Sequence, residues 1–346
     1  MFTDTLHCRL ARPSDAPLIS AGIAACYGDS YVDPAFLQPS WVAGALARGH
    51  LHYALAFEGQ RLVGQIAVED QSPADLAPGV ERLGEHCRAV VQPSHRRRRL
   101  MERLSRKLFA SPAVRERYSL LSGRSLTNHL FTQRYNRSAG FSPLGLLLGL
   151  WPASMRQAGI PAPGQAVSCL LVGLPLGRLQ PRELTLRGAD FEFARHVLES
   201  LGVPAERSSR REALSAGFGG GWRLCQTRHP LTGLEHWRFA EGGAEALPEA
   251  GAVELARSEG QRLIWADVPS EAPGAPALAA HLRALGFRQG GYLPLGGLAG
   301  KDVLRLQLRL ERAPFDPQVP QLLPNARWIA DAVLAEQGTE AELVPC

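Results

Sequence analysis

The chain has 346 residues, 45% of them hydrophobic and 21% charged, which is the composition of a soluble globular protein with length enough for two domains that each bury a core. A formal net charge of +5 is spread along the chain rather than gathered in a basic tail, so nucleic acid is a permitted partner but not a demanded one. No stretch approaches the ~20 apolar residues that span a bilayer, and nothing at Met1-Phe2-Thr3-Asp4 has the charged and apolar regions of a secretory signal. A cytoplasmic protein without a membrane partner is expected. Cys8, Cys26, Cys87, Cys169, Cys225 and Cys346 lie far apart, with no C-x-x-C pair and no histidine at ligand spacing, so neither a metal site nor a disulfide framework is predicted.

In chain order, Cys8 to Ala11 reads as a strand leading into a helix capped at Ser14 or Asp15, with Leu18, Ile19, Ile23 and Ala24 on one face. A second helix fits Trp41 to Ala47. Strands at His52 to Phe57 and Leu62 to Glu69 flank Glu58-Gly59-Gln60, a hairpin signal. Next come a strand from Glu85 to Val91, a helix from Leu100 to Phe109, a strand near Tyr118 to Ser122, a helix near Thr127 to Ser138, and a strand after Gly140-Phe141. The predicted order is β-α-α-β-β-β-α-β-α-β.

Between Val91 and Leu100 the sequence reads Gln92-Pro93-Ser94-His95-Arg96-Arg97-Arg98-Arg99. A helix that begins straight after a basic turn offers unpaired N–H groups and the positive end of its dipole, to which arginines add full charges. This junction is an anion site, and phosphate is the obvious guest. The alternative is a solvated basic turn or a patch that contacts an RNA backbone.

Pro152 to Gln165, rich in Pro, Gly and Ala, suits a connector. Beyond it the opening pattern returns: Leu184 to Asp190 leads into a helix with Phe191, Ala194, Val197, Leu198 and Leu201 in register. Leu234 to Phe239 and Leu263 to Val268 read as strands, Ala275 to Leu285 as a helix, and Gly286-Phe287 introduces a strand as Gly140-Phe141 does. The second copy has no arginine run after its strand Leu234 to Phe239. The expected division is an N-terminal domain over 1–152, a connector and crossover strand over 153–175, and a degenerate second copy over 176–346.

These residues resemble a GCN5-related N-acetyltransferase (GNAT), and the whole chain resembles two such folds in tandem. Arg12-Pro13-Ser14-Asp15, the strand through Leu62-Val63-Gly64-Gln65-Ile66-Ala67, Val91-x-Pro93-x-His95-Arg96-x-Arg98-x-Leu100, and Asn128 with Gly140-Phe141 carry the resemblance over most of residues 8 to 150. The second half matches only through its first helix and Leu285-Gly286-Phe287. The implied fold is α/β, two tandem domains each with a mixed, mostly antiparallel sheet flanked by helices. The implied cofactor is acetyl-CoA or another acyl-CoA, and the implied reaction is direct transfer to a small-molecule or peptide amine. By position, Ala89, Val90 and Val91 would line the pantetheine arm, Arg96, Arg97, Arg98, Arg99, Leu100 and Met101 would wrap the pyrophosphate, and Asn128 would lie near the cofactor.

The family pattern Arg/Gln-x-x-Gly-x-Gly/Ala, begun at Arg96, has Arg99 and Met101 at its two small positions, and Arg97 stands where many relatives have glycine. Either arginine side chains replace backbone contacts, or the pocket has changed or lost its ligand. Many relatives place a base, often acting through water, where Glu85 lies, the other reading of Glu85 being a solvated strand end, and a tyrosine acid where this chain has Asn136, with Tyr135 its neighbour. His129, at the helix start, is a further acid or base candidate, or else a half-buried structural histidine. Trp41, Tyr53 and Phe57 fit core packing better than an acceptor pocket, and Asp267 at a strand end is a lesser site candidate. Two rivals to acyl transfer are an aminoacyl transferase that uses charged tRNA and a catalytically degenerate acyl-CoA-binding or regulatory module.

Overall fold

The computed structural model of the chain describes residues 6–74, 76–160, 164–208, 221–311 and 321–336. β1 (Leu6–Leu10) leads through a 3-10 turn at Pro13–Asp15 into α1 (Ala16–Tyr27), which buries Ile19 and Ile23 while Leu18 stays exposed. Asp15 makes no side-chain cap on α1. Its carboxylate instead accepts two 2.6 Å hydrogen bonds from Arg9 and one of 2.7 Å from the Arg12 amide, bracing the strand against the turn. After α2 (Pro39–Ala47), β2 (Leu51–Glu58) and β3 (Arg61–Asp70) form the expected hairpin, turning at Gly59 with φ +61°.

β4 (Leu83–Val91), α3 (Leu100–Phe109), α4 (Pro112–Arg115), β5 (Leu120–Leu126), α5 (Phe131–Ser138), β6 (Ser142–Trp151) and β7 (Val167–Pro175) follow. β5 begins two residues later than predicted because Tyr118 still closes the helical turn before it, its amide bonded to Val114 O. α5 starts at Phe131 rather than Thr127, because the Thr127 amide and hydroxyl are both taken by Ser168 O on β7. Tyr53 and Phe57 are core residues, and Trp41 packs edge-on against Phe36.

The second half runs β8 (Arg182–Leu184), α6 (Gly188–Ser200), β9 (Ala205–Arg207), β10 (Trp222–His229), β11 (Leu234–Glu241), α7 (Ala250–Ser258), β12 (Leu263–Pro269), α8 (Ala275–Ala284), β13 (Arg288–Leu293), β14 (Val303–Arg309) and α9 (Arg327–Ala335). One twelve-stranded sheet spans both halves in the order β1-β2-β3-β4-β5-β7-β6-β13-β14-β12-β11-β10. Outward from its centre, β6-β7-β5-β4-β3 is mirrored by β13-β14-β12-β11-β10, and the parallel pair β4/β5 by the parallel pair β11/β12.

The halves meet where β6 and β13 pair antiparallel through Gly145 and Gly291. These glycines hold the same place in each copy, five residues after the Gly of Gly-Phe. A Cβ on Gly145 would lie 2.5 Å from Gly290 O and Gly291 Cα, so the two backbones touch only because both residues lack a side chain. Gln307 completes the seam. Its carboxamide accepts from the Leu148 amide (2.9 Å) and donates to Leu146 O and Gln289 O (3.0 Å each), standing in for a missing peptide group.

Candidate functional site

Parallel pairing of β4 with β5 covers only Leu83↔Leu120 to His86↔Gly123, although β4 runs on to Val91 and β5 to Leu126. Past that point β5 pairs with β7 alone, and the two strands part. The result is a wedge with Glu85 and Ser122 at its apex and Val91 and Asn128 at its rim. A β-bulge starts the divergence: between Gln65↔Val90 and Ala67↔Cys87, one β3 residue faces two on β4, and Arg88 adopts φ +55°. That conformation is uncommon for arginine. It is held by the buried Arg88 guanidinium, 2.9 Å from Glu69, 3.5 Å from Asp33 and 4.0 Å above the Phe36 ring.

The Gln92 amide bonds back to Val63 on β3, so by alternation the Val91 backbone faces the open edge. Its carbonyl accepts a 3.4 Å hydrogen bond from Arg96 Nε. Arg96 therefore lies on the strand edge, and its other nitrogens reach Ala158 O (2.5 Å) and Gly159 O (3.5 Å), tying the segment before β7 to the rim. Arg97 (φ +64°) and Arg99 (φ +53°) both adopt the left-handed conformation that glycine favours. The loop thus keeps the backbone path of a glycine loop with arginines in the glycine places.

Arg97, Arg98 and Arg99 are exposed, and only Arg98 has an ion-pair partner among the described residues, Glu58 at 3.9 Å. Behind them α3 begins. The amides of Leu100, Met101 and Glu102 find no backbone acceptor among the described residues, as expected of a first helical turn. The Leu100 side chain is core, while Met101 packs half-buried against it.

The three predicted catalytic side chains are not brought together. Glu85 sits at the apex, where Arg124 on β5 grips it through bonds of 2.6, 2.6 and 2.9 Å. Tyr31 and Arg88 lie within electrostatic reach of the same carboxylate. His129 lies at the rim, seven residues along the chain from Ser122, and both ring nitrogens lack partners among the described residues. Burial lowers its basicity, and the positive charge of Arg96 adds to the effect. Asn128 Oδ1 beside it is likewise buried without a partner. Tyr135 faces α3, its ring 5.8 Å from His86, and burial pushes its hydroxyl up to about 12. Asn136, at the family's acid position, is buried and donates to Ser125 Oγ at 2.8 Å.

His86 points to the same side as Tyr135, packed among Phe109, Phe141 and Tyr135, and burial pushes its imidazole down to about 3. The unfolded chain protonates this histidine near ~6.5, so between these values the unfolded state binds the extra proton. Stability from this group is complete above pH ~6.5 and falls by up to ~1.4 kcal/mol per unit below it. Urea midpoints measured at pH 7 and pH 5 should separate more for the native protein than for His86→Leu. Equal separation would contradict this reading.

In the second half, matching Leu234↔Leu263 to Leu83↔Leu120 makes His236 the counterpart of Glu85 and Asp267 that of Arg124. Acid and base have exchanged strands. His236 Nε2 lies 2.7 Å from Asp267 Oδ2, and Arg305 donates to both Asp267 oxygens at 2.7 and 2.8 Å. Burial opposes the charge on Asp267, but Arg305 and His236 hold its carboxyl well below the ordinary range. This is a closed internal cluster. His229, at the end of β10, feels Arg124 and Asp33 of the first half, so the second copy reaches the side of the sheet that Glu85 faces.

Arg88, Arg124 and Gln307 escape a reading based on motifs. The signal for Arg124 was a lone charge inside the strand Leu120–Leu126, beside a strand that carries one carboxylate. Among the described residues no cluster of histidine, cysteine and carboxylate side chains is placed to hold a metal, and no helix is long and apolar enough to cross a membrane.

No protein-family model and no curated protein matches the chain. Similar solved structures are acetyltransferases. A GNAT-family acetyltransferase from Streptococcus pneumoniae shares 15% identity over 49% of this chain and 99% of its own, with a TM-score of 0.38. NAA60 of Arabidopsis thaliana, in complex with acetyl-CoA, shares 12% over 49% and 98%, with a TM-score of 0.38. The ribosomal-protein-S5-alanine acetyltransferase of Vibrio fischeri shares 11% over 51% and 95%, with a TM-score of 0.37. The likeness is one of fold. The first half of the chain has the predicted order of elements, and its strands β4 and β5 part after His86 and Gly123. Each of these three structures covers about half of the chain.

Proposed function

We propose that the chain is an acyl-CoA-dependent N-acyltransferase whose N-terminal copy, through β7, holds the acyl donor in the wedge between β4 and β5. The parting of these strands after His86 and Gly123, ahead of an arginine loop with left-handed Arg97 and Arg99, is the observation that carries this reading. Two left-handed residues in front of unpaired first-turn amides form an anion cradle, and a pyrophosphate fits it. The amides of Leu100, Met101 and Glu102 would meet phosphate oxygens, and the side chains of Arg97 and Arg99 would fold over them in charge-assisted bonds. Val91 offers its open edge to the pantetheine arm once Arg96 Nε turns aside, and the unpartnered Asn128 Oδ1 faces a donor from across the wedge.

An acyl-CoA supplies an activated thioester carbonyl when bound. At the apex Glu85, kept in place by Arg124, accepts the ammonium proton of the incoming amine. Tyr31 lies within electrostatic reach of Glu85, and His229 of the second copy within reach of Arg124 and Asp33, which makes both candidates to meet that amine. Acetyl as the acyl group and a small-molecule or peptide amine as the acceptor are the finer part of this proposal, and they come from the family resemblance.

Calorimetric titration with acetyl-CoA tests the reading. Saturable binding is expected, weakened about tenfold or more in the Arg97→Gly/Arg99→Gly double variant, because charge-assisted bonds are lost. Absence of binding to the native protein overturns the proposal, and tighter binding by the double variant overturns the arginine cradle.

A further inference from the structure

On β10 and β11, Cys225, Thr227 and His229 stand opposite Arg238, His236 and Leu234, so all six share one face of the sheet. The buried charges of this face and of the Glu85 side of the first copy are matched: Arg124 holds Glu85, Arg88 holds Glu69 and Arg305 holds Asp267. Arg238 is not. It is half-buried, no carboxylate pairs with it among the described residues, and its one hydrogen bond there runs from Nη2 to Cys225 Sγ at 3.6 Å, a weak acceptor. Its Nε is buried without a partner, whereas Nη1, also without a bond, is not buried, so the guanidinium is approached from its Nη end. The first copy offers the opposite charge. Asp33 has 39% of its side chain exposed and reaches Arg88 only at 3.5 Å, because Glu69 takes that guanidinium at 2.9 Å. Tyr31 lies within electrostatic reach of both Asp33 and Glu85, and His229 within reach of Asp33, Arg124 and Arg238. One cleft thus has a loosely held carboxylate on its first-copy wall and an unpaired guanidinium on its second-copy wall.

We infer that the acceptor is an aminocarboxylate, its carboxylate held by Nη1 and Nη2 of Arg238 while its ammonium group lies on the first-copy wall between Asp33 and Glu85. The inference rests on the acyl-transfer reading and deepens it, since it gives the second copy the task of choosing the acceptor. A planar carboxylate fits two parallel N–H bonds of a guanidinium, and Cys225 Sγ occupies only one of the two Nη2 hydrogens. An amine without the carboxylate leaves Arg238 as unpaired as it is without a ligand.

The probes are the ω-aminocarboxylates from 3-aminopropanoate to 8-aminooctanoate, each beside its primary amide, with acetyl-CoA as donor. The native chain is expected to acetylate at least one acid with a kcat/KM about tenfold or more above that of its amide, the gain lying in KM. In Arg238→Met the ratio of acid to amide should fall to near one, and Arg238→Lys should keep part of it. Cys225→Asp, which sets an internal carboxylate beside Nη2, should abolish the preference with the arginine still in place. Acids and amides used alike by the native chain, or a preference that survives in both Arg238→Met and Cys225→Asp, overturns the inference. Acetyl-CoA bound in calorimetry with none of the acids acetylated also overturns it and leaves the donor wedge standing, whereas absence of acetyl-CoA binding removes the acyl-transfer reading and the inference with it.

Discussion

Gln307→Leu is expected to cost about 3–5 kcal/mol of stability, because it strips three hydrogen bonds from a buried seam and leaves a backbone N–H and two carbonyls there without that partner. Leucine has similar bulk, so the loss is polar rather than steric. The side chain matters this much because, among the described residues, β6 and β13 pair through the single couple Gly145↔Gly291 and no further ladder joins them. Gly145→Val attacks the same seam sterically. Its Cβ would meet the backbone at Gly290 and Gly291, which cannot swing away as a flexible side chain can. Urea unfolding followed by tryptophan fluorescence reads both. A Gln307→Leu midpoint within the equivalent of 1 kcal/mol of native would show that α9 and the flanking core, not the carboxamide, hold the halves together.

Glu85→Gln is expected to lower turnover by 10²–10⁴-fold, about the contribution of a positioned general base, with acetyl-CoA affinity unchanged. The geometry explains the separation of effects. Glu85 sits at the apex of the wedge, while the anion cradle lies beyond the rim, past Val91 and Pro93. Arg124→Gln should disturb the same step by releasing the carboxylate from its bidentate grip. Steady-state rates with a primary-amine panel, read beside calorimetric affinity, check both. If Glu85→Gln weakened cofactor binding and left turnover intact, the apex would not be the place of proton transfer.

Much of the fold is legible in the sequence because its signals are local. Gly59 marks the hairpin, the amphipathic spacing of Leu100, Leu104 and Leu108 marks α3, and Gly-Phe recurs before β6 and β13. The joining of both copies into one sheet is not local. It depends on Gly145 and Gly291 facing each other across 146 positions and on a glutamine whose partners lie on other strands. The arginine loop shows the same division. Its sequence predicts an anion site, yet residue type alone argues against a glycine-like path for Arg97 and Arg99, which the chain adopts regardless. Tyr135 is a candidate acid only as the neighbour of Asn136, and one step of helix turns it toward α3 and His86. Glu85 itself was visible, whereas Arg124, 39 residues on, was not paired with it until β4 and β5 came side by side.

Amide hydrogen exchange with and without saturating acetyl-CoA tests the central claim most directly, because it reports where the donor lies as well as whether it binds. Slower exchange is predicted at Ala89 and Val91 on the open strand edge and at Leu100, Met101 and Glu102 in the first turn of α3, with the paired edge of β3 unchanged. Binding that leaves these amides unaffected, or protection confined to the second copy around His236 and Asp267, would contradict it.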